Sequence, residues 1–444
     1  MLGSRLFIST AALGLTLASC QFLAGLDEER TVDEEGASGS AGGPTNGTAG
    51  IANGGSGAGG DGGAGGAGPT EPPTCRVEAA RRASHLASGN PSLAFSSGRW
   101  GLGRPYFANG VAYSNLDQHG ILQGVDDALL VSPDNGWSND NVWLTPYKGD
   151  FLVAVSRRDD GAETHVPTVL RIAPSDGSVL ETATGATFTH PWHFEVSSMA
   201  VATDGDENTT LVVMRPLGSV ATAEIRRFDD NLDSFGASTI PNTWDASAAW
   251  SASLDRFGVF VLKKGTPKEL WLYSYPTTGD LEHPIQTRID RGPEVPELSV
   301  GHYSISAAAS PDHFFVVWTD ERINDDPRIY LTRVNHDGER PEEGPDSVWV
   351  SEAHTGKAQS TPMVVFDGRS IAVSWRSESR SYFRRFTTNL EPLGEEYEIA
   401  STLSDSVGDR PTLAASGPNS YGVAYIDAVG SGDFVFHRVV CNGP

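Results

Sequence analysis

Charged side chains stand directly after a strand that recurs through the chain: Arg157 and Arg158, Arg215, Lys263 and Lys264, Asp320 with Glu321 and Arg322, Arg376, and Asp427. If those strands occupy equivalent places in equivalent units, the residues behind them share one face. Cations and carboxylates gathered on one face suit an anionic or glycan ligand, because charge-assisted hydrogen bonds are the strong ones. Binding residues are therefore expected at Arg157, Arg215, Lys263, Asp320, Arg376 and Asp427, with merely solvated loops as the competing reading. The cations stand out against their background. Residues 75–444 carry a formal charge of −19, since residues 1–19 hold +1 and residues 20–74 hold −7 of the chain's −25.

Other constellations are weaker. His190-Pro191-Trp192-His193 offers two imidazoles three residues apart. On a strand such positions face opposite ways, so both reach one metal only from a turn, and no third ligand is apparent. Asp204-Gly205-Asp206-Glu207-Asn208 begins like a calcium loop. An EF-hand then requires Gly at its sixth position and Glu at its twelfth, where this chain has Thr209 and Arg215. Ser132-Pro133-Asp134-Asn135-Gly136-Trp137 resembles the Asp-box turn of sialidases, but its Trp comes two positions early and no second copy exists. That box is a structural turn, and no arginine triad or nucleophilic Tyr is identifiable. Nucleophile elbow, phosphate loop and dinucleotide fingerprint are absent. No catalytic set, metal or cofactor is expected.

The elements that position these residues are short strands. A Val-x-bulky strand appears at Val111-Ala112-Tyr113, Val153-Ala154-Val155, Val212-Val213-Met214, Val259-Phe260-Val261, Val316-Val317-Trp318, Val373-Ser374-Trp375 and Val423-Ala424-Tyr425. An apolar strand precedes it across a tight turn, clearest at Pro362–Phe366 followed by Asp367-Gly368, a dipeptide suited to a type I′ hairpin. A third strand follows, with an Arg before an apolar residue at Arg171-Ile172, Arg227-Phe228, Arg333-Val334, Arg385-Phe386 and Arg438-Val439. A short fourth strand, as in Val348-Trp349-Val350, lies between units. Helical periodicity is nearly absent. Four short strands per repeat of roughly 50 residues predict an all-β fold, a single β-propeller. Seven blades fit the count, six or eight remain compatible, and a pair of β-sandwiches is the alternative. Trp318 and Trp375 at equivalent positions read as packing between blades. No signature names a propeller family.

Cysteine placement bears on closure. Cys75 and Cys441 bracket the repeats, and the last repeat stops at its third strand. Its missing partner is expected from the other end, either just after Cys75 or at Leu93-Ala94-Phe95. A Cys75–Cys441 disulfide would then staple the ring.

The N-terminus reads as an address. Arg5 precedes an apolar run from Leu6 to Leu17, which suits a signal peptide and is too short to span a bilayer. The run ends Leu17-Ala18-Ser19-Cys20 and resembles the lipobox of bacterial lipoproteins. The resemblance implies cleavage before Cys20 and lipidation of its thiol. Gln21 in place of Asp points to the outer membrane of a bacterial envelope. Residues 20–74 form an acidic and then Gly-rich linker, expected to be disordered, with a reach of about 40 Å. Gly-rich spacers of this style are similar to those of myxobacterial lipoproteins. No later stretch is apolar enough for a membrane helix. The net charge excludes nucleic acid as main partner, because a polyphosphate requires a basic footprint. The expectation is a monomeric, lipid-anchored binding or scaffold module for a protein or glycan, with a polysaccharide hydrolase or lyase as the alternative.

Overall fold

Alternating apolar and polar residues between turn signals become antiparallel ladders throughout the repeat region. In the computed structural model, residues 73–443 are described apart from 85–89, 107–109, 125–127, 132–136, 160–163, 185–187, 190–195, 205–209, 217–221, 264–268, 280, 290–304, 321–326, 341–346, 352, 354–356, 401–410 and 428–432. The described strands make seven antiparallel sheets, five of four strands and two of five. Their first strands are Ser92–Ser96, Trp137–Tyr147, Val196–Thr203, Thr243–Ser251, Ile305–Ala309, Gln359–Phe366 and Thr412–Gly417. Each touches the first strand of the sheets before and after it, and the seventh touches the first. The sheets are therefore blades around one axis, and the fold is a β-propeller.

Period-two alternation sends successive side chains of a blade to opposite neighbours. In blade 2, Val142, Leu144, Val153 and Val155 join Ala94, Val111 and Tyr113 of blade 1. Leu152, Ala154 and Val169 of the same blade join Val201, Phe228 and Leu232 of blade 3. Every junction has such a core, including that between blades 7 and 1, where Trp100 and Leu102 meet Phe434 and Phe436. Trp318 and Trp375 are buried in these cores, so they pack blade against blade as expected.

Two local expectations are corrected. Val111-Ala112-Tyr113 lies on the third strand of blade 1, Gly110–Leu116, not on the second. The second strand is Arg99–Tyr106, where Gly101 and Gly103 stand in place of bulky residues. A Cβ on Gly101 would meet Phe151, Leu144 and Tyr113 within 2.9 Å, so the neighbours fill the space that the usual side chain would take. Asp367-Gly368 does close a hairpin, but not as a type I′ turn, since Gly368 alone of the pair has positive φ (98°). The Asp367 carboxylate accepts the N–H groups of Arg369 and Ser370 at 2.7 Å, an Asx turn. Positive φ at both central residues, as type I′ requires, occurs instead at Ser97-Gly98 (49° and 76°) and Lys148-Gly149 (48° and 82°).

In three blades the recurring third-strand Arg is a clasp to the next blade, whereas Arg171 pairs with Asp150 of its own blade at 2.7 Å. Arg227 donates to the Gly279 carbonyl in blade 4 at 2.6 Å, Arg333 to the Thr388 carbonyl in blade 6 at 3.0 Å, and Arg385 to Asn419 in blade 7. Each reaches the next blade. Arg227 and Arg385 are fully buried. Two residues further on, Asp229, Asn335 and Thr387, with Asp117 in blade 1, cap their turns by accepting N–H groups two and four residues ahead.

The two ends of the repeat region complete one blade. Cys75–Val77 and Arg81–Ser84 pair with Phe434–Cys441, the third strand of blade 7. Leu93-Ala94-Phe95, the other segment considered, belongs to the inner strand of blade 1. Cys75 and Cys441 are ladder partners with Cα atoms 3.9 Å apart, joined by a disulfide across a sequence separation of 366. His437 reinforces the seam. Its Nδ1 donates to the Glu78 carbonyl and its Nε2 accepts from the Tyr425 hydroxyl, both at 2.9 Å. Burial holds this imidazole below the usual range, although the bond to Glu78 opposes the shift. Among the described residues no helix is long and apolar enough to cross a membrane.

Candidate functional site

Ring closure leaves a cavity of about 300 Å³ on the axis, lined by residues from all seven inner strands. In blades 2, 3, 4 and 6 the lining comes from the half of the strand that runs into the hairpin, residues 143–146, 201–203, 248–250 and 363–366. No lining residue is Asp, Glu, His, Lys, Arg or Cys. The wall combines small apolar side chains, the rings of Phe95, Trp143, Trp250 and Phe366, and the hydroxyls of Ser92, Thr145, Thr203, Ser306 and Thr412. Trp143 belongs to blade 2, yet it packs against the core between blades 6 and 7 as well as the core between blades 2 and 3. Its indole therefore crosses the axis.

The hydroxyls have a structural task first. Ser92 accepts the Leu144 N–H at 2.8 Å, Ser306 the Val364 N–H at 3.2 Å and Thr412 the Leu93 N–H at 3.2 Å. Each bond ties the inner strand of one blade to that of the next. Ser247 does the same for Ala307 at 3.0 Å. A hydroxyl that has accepted one bond keeps its own O–H and a second acceptor site.

The charged residues expected to bind lie where second strands hand over to third strands, the opposite end of the ring from the first hairpins. They do not form one site among the described residues. Lys263 sits with its ammonium 4.2 Å from the Trp271 ring centre and 5.2 Å from that of Tyr273. Asp320 is a correction to the expected binding face. It is buried and accepts the Trp318 indole N–H at 3.0 Å, opposite Arg328 in the ladder, so it anchors the blade interior. Burying a carboxylate is tolerated because partners surround it. Arg376 is half-buried and donates to the Glu378 carbonyl at 2.6 Å. Asp427 follows the strand Ser420–Ile426, with its N–H on the Asp433 carbonyl at 3.0 Å. Arg157 and Arg215 are placed on the strands Asp150–Asp159 and Thr210–Pro216, but their side chains, and that of Arg158, fall outside the described part. Lys264, Glu321, Arg322, Ser132–Gly136, His190, His193 and Cys20 lie outside the described residues. Asp204 is buried, and the rest of its acidic run is outside them. Among the described residues no three His, Cys, Asp or Glu side chains gather as around a metal.

One buried polar group was not anticipated. Asp367 accepts from the Tyr421 hydroxyl and, at 2.9 Å, from the Asn419 N–H, while Ser370 bonds Asp367, Tyr421 and Arg385. Burial alone would raise the Asp367 carboxyl. The hydrogen bonds from Tyr421 and from the backbone of Ser370, Asn419 and Arg369 outweigh it and hold the group below the usual carboxylate range. Burial pushes Tyr421 well above the usual phenol range, with Asp367 adding to the shift. This network closes the junction of blades 6 and 7. Its sequence signals are Asp367-Gly368 and the recurring Arg at Arg385-Phe386.

No protein-family model and no curated protein matches the sequence. Among solved structures the chain is similar to the β-propeller domain of the trilobed protease from Pyrococcus furiosus, at 10% identity and a TM-score of 0.47, over 80% of this chain and 95% of that one. It is similar to the SapL1 lectin, solved with alpha methyl fucoside, at 10% identity and a TM-score of 0.44, over 73% of this chain and 99% of that one. It is similar also to the GH43 endo-arabinanase from Bacillus licheniformis, at 12% identity and a TM-score of 0.31, over 56% and 96%. A protease domain, a lectin and a glycanase at this distance do not select an activity.

Proposed function

We propose that this protein is exported, anchored to the bacterial outer membrane through lipid on Cys20, and acts outside the cytoplasm as a monomeric, non-catalytic binding propeller. The observation that carries the binding role is the axial cavity, whose described lining contains no ionisable side chain. A polysaccharide hydrolase, the alternative, works with two carboxyl groups held about 5–9.5 Å apart across the scissile bond, and this wall supplies neither. The Cys75–Cys441 disulfide supports export, because such bonds persist in oxidising compartments. The lipobox and the long polar linker support a domain held away from a membrane. The formal charge of −25 argues against nucleic acid as partner.

The test is radiolabelled palmitate incorporation and membrane fractionation in a bacterial host, for the wild type and Cys20→Ala. The reading expects label and membrane sedimentation in the wild type and loss of both in the variant. Label retained without Cys20 would overturn the anchor. Release of reducing ends from any of a panel of polysaccharides would overturn the non-catalytic role.

A further inference from the structure

The axial cavity offers an unusual combination for the centre of a ring: no charge, several hydroxyls, and an aromatic ring laid across it. Electrostatics narrows the ligand class. An anion or cation entering a cavity with no ionisable side chain loses its hydration without gaining an opposite charge, which is costly. A purely apolar ligand leaves hydroxyls without partners, which is also costly. The ligand that fits is uncharged and carries both apolar faces and hydrogen-bonding groups.

Three hydroxyls make that argument specific. Ser92, Ser306 and Thr412 are all more than nine-tenths buried and line the cavity. Each already accepts one backbone N–H from the neighbouring blade, which fixes its oxygen and leaves an O–H to donate. They come from blades 1, 5 and 7, so the donors approach the axis from separate directions. The indole of Trp143, half-buried and spanning from blade 2 to the core of blades 6 and 7, presents a flat apolar surface. At about 300 Å³ the cavity is at the small end of ligand sites. That size suits one sugar ring.

We infer that the axial cavity is a binding site for an uncharged monosaccharide unit, whose ring lies against Trp143 and whose oxygens take hydrogen bonds from the Ser92, Ser306 and Thr412 hydroxyls. This rests on the reading of the protein as a binding module and assigns that module its ligand class and its site. The site stands at the end of the ring away from Arg376 and Lys263.

The experiment is isothermal titration and ligand-observed saturation-transfer NMR on the full chain, purified in a detergent without a sugar headgroup. The probes are methyl glucoside, methyl galactoside, methyl mannoside, N-acetylglucosamine, glucuronate and inorganic phosphate. At least one neutral probe should bind, at least tenfold more tightly than glucuronate or phosphate. Trp143→Ala should weaken it at least tenfold and Arg376→Ala by less than twofold. If Trp143→Ala fails to fold by circular dichroism, Ser306→Ala and Thr412→Val, each removing one O–H, should weaken binding threefold or more. No binding of any neutral probe, preference for glucuronate or phosphate, or loss of binding in Arg376→Ala with retention in Trp143→Ala would each overturn the inference. The binding-module reading survives these outcomes if a protein or glycan array still detects a partner, and falls with the inference if the array is blank.

Discussion

The two ends of the ring have opposite chemistry. Where second strands pass to third strands the chain places Arg157, Arg215, Lys263, Asp320, Arg376 and Asp427. Where first strands run into their hairpins it places Phe95, Trp250, Phe366 and Ala309 around an uncharged cavity. The charged end is conspicuous in the sequence, yet Lys263, Asp320 and Arg376 are each engaged within their own blade. The neutral end is inconspicuous in the sequence and holds the axial cavity. A charge seen in a sequence can thus be an internal clasp, and Arg227 and Arg385, fully buried between blades, make the same point.

Breaking the ring should erase the contrast altogether, and this is the largest expected effect. The Cys75–Cys441 disulfide spans a sequence separation of 366, and closing so long a loop contributes about 6 kcal/mol in the chain-entropy model. Cys441→Ser should lower the thermal midpoint by several degrees under non-reducing conditions. Wild type with reductant should match the variant. A midpoint within a degree of the oxidised wild type would show that strand pairing alone closes the ring.

The next effect separates a clasping arginine from a rim arginine. Arg385→Ala leaves the buried Ser370 hydroxyl and the half-buried Asn419 amide short of a partner, so a loss of about 2–4 kcal/mol is expected in urea unfolding. Arg376→Ala, at a half-exposed position, should cost less than about 1 kcal/mol. Equal losses would break the distinction.

Acid should loosen blade 7 in two stages, first at its closing seam and then at its junction with blade 6. His437 has a folded pKa below its unfolded value of about 6.5. The unfolded chain therefore takes up the proton first, and the contribution is present above that pH and lost as pH falls through the folded value. Asp367 follows the same sign from its unfolded value of about 3.9 downward. Thermal midpoints should drop below pH 6.5, with a further drop below pH 4. His437→Gln should flatten the first step. A midpoint that rises on acidification from pH 7 to 5 would contradict the assignment.

The smallest effect tests the rim itself. Lys263→Ala removes a cation from the Trp271 and Tyr273 rings, worth about 0.5–1 kcal/mol at a half-exposed site, and should leave any cavity ligand bound as before.

The sequence made the blades legible because a hairpin is a local event. Apolar strands on either side of Asp367-Gly368, and the Arg before an apolar residue on five of the seven third strands, are visible without knowing what they touch. What Arg227 and Arg333 do was not legible, since their partners lie in the next blade, some 50 residues away: Gly279 for Arg227 and Thr388 for Arg333. In blade 1 the pattern surfaces at Val111, on the third strand, because glycines at 101 and 103 erase it on the second. The cavity was hidden for a simpler reason. Ala248-Ala249-Trp250 and Met363–Phe366 look like any core strand until seven such strands are drawn into a circle, and Trp143 shows its reach only once blades 6 and 7 stand opposite it.

The claim at the centre of this account is that function resides at the neutral axis and not on the charged rim. Hydrogen–deuterium exchange of the full chain, with and without a saturating neutral methyl glycoside that binds, tests it directly. The account predicts slowed exchange in peptides covering 143–146, 306–309 and 412–415, with peptides around Lys263, Arg376 and Asp427 unchanged. Slowed exchange confined to those rim peptides, with the inner strands unaffected, would contradict it.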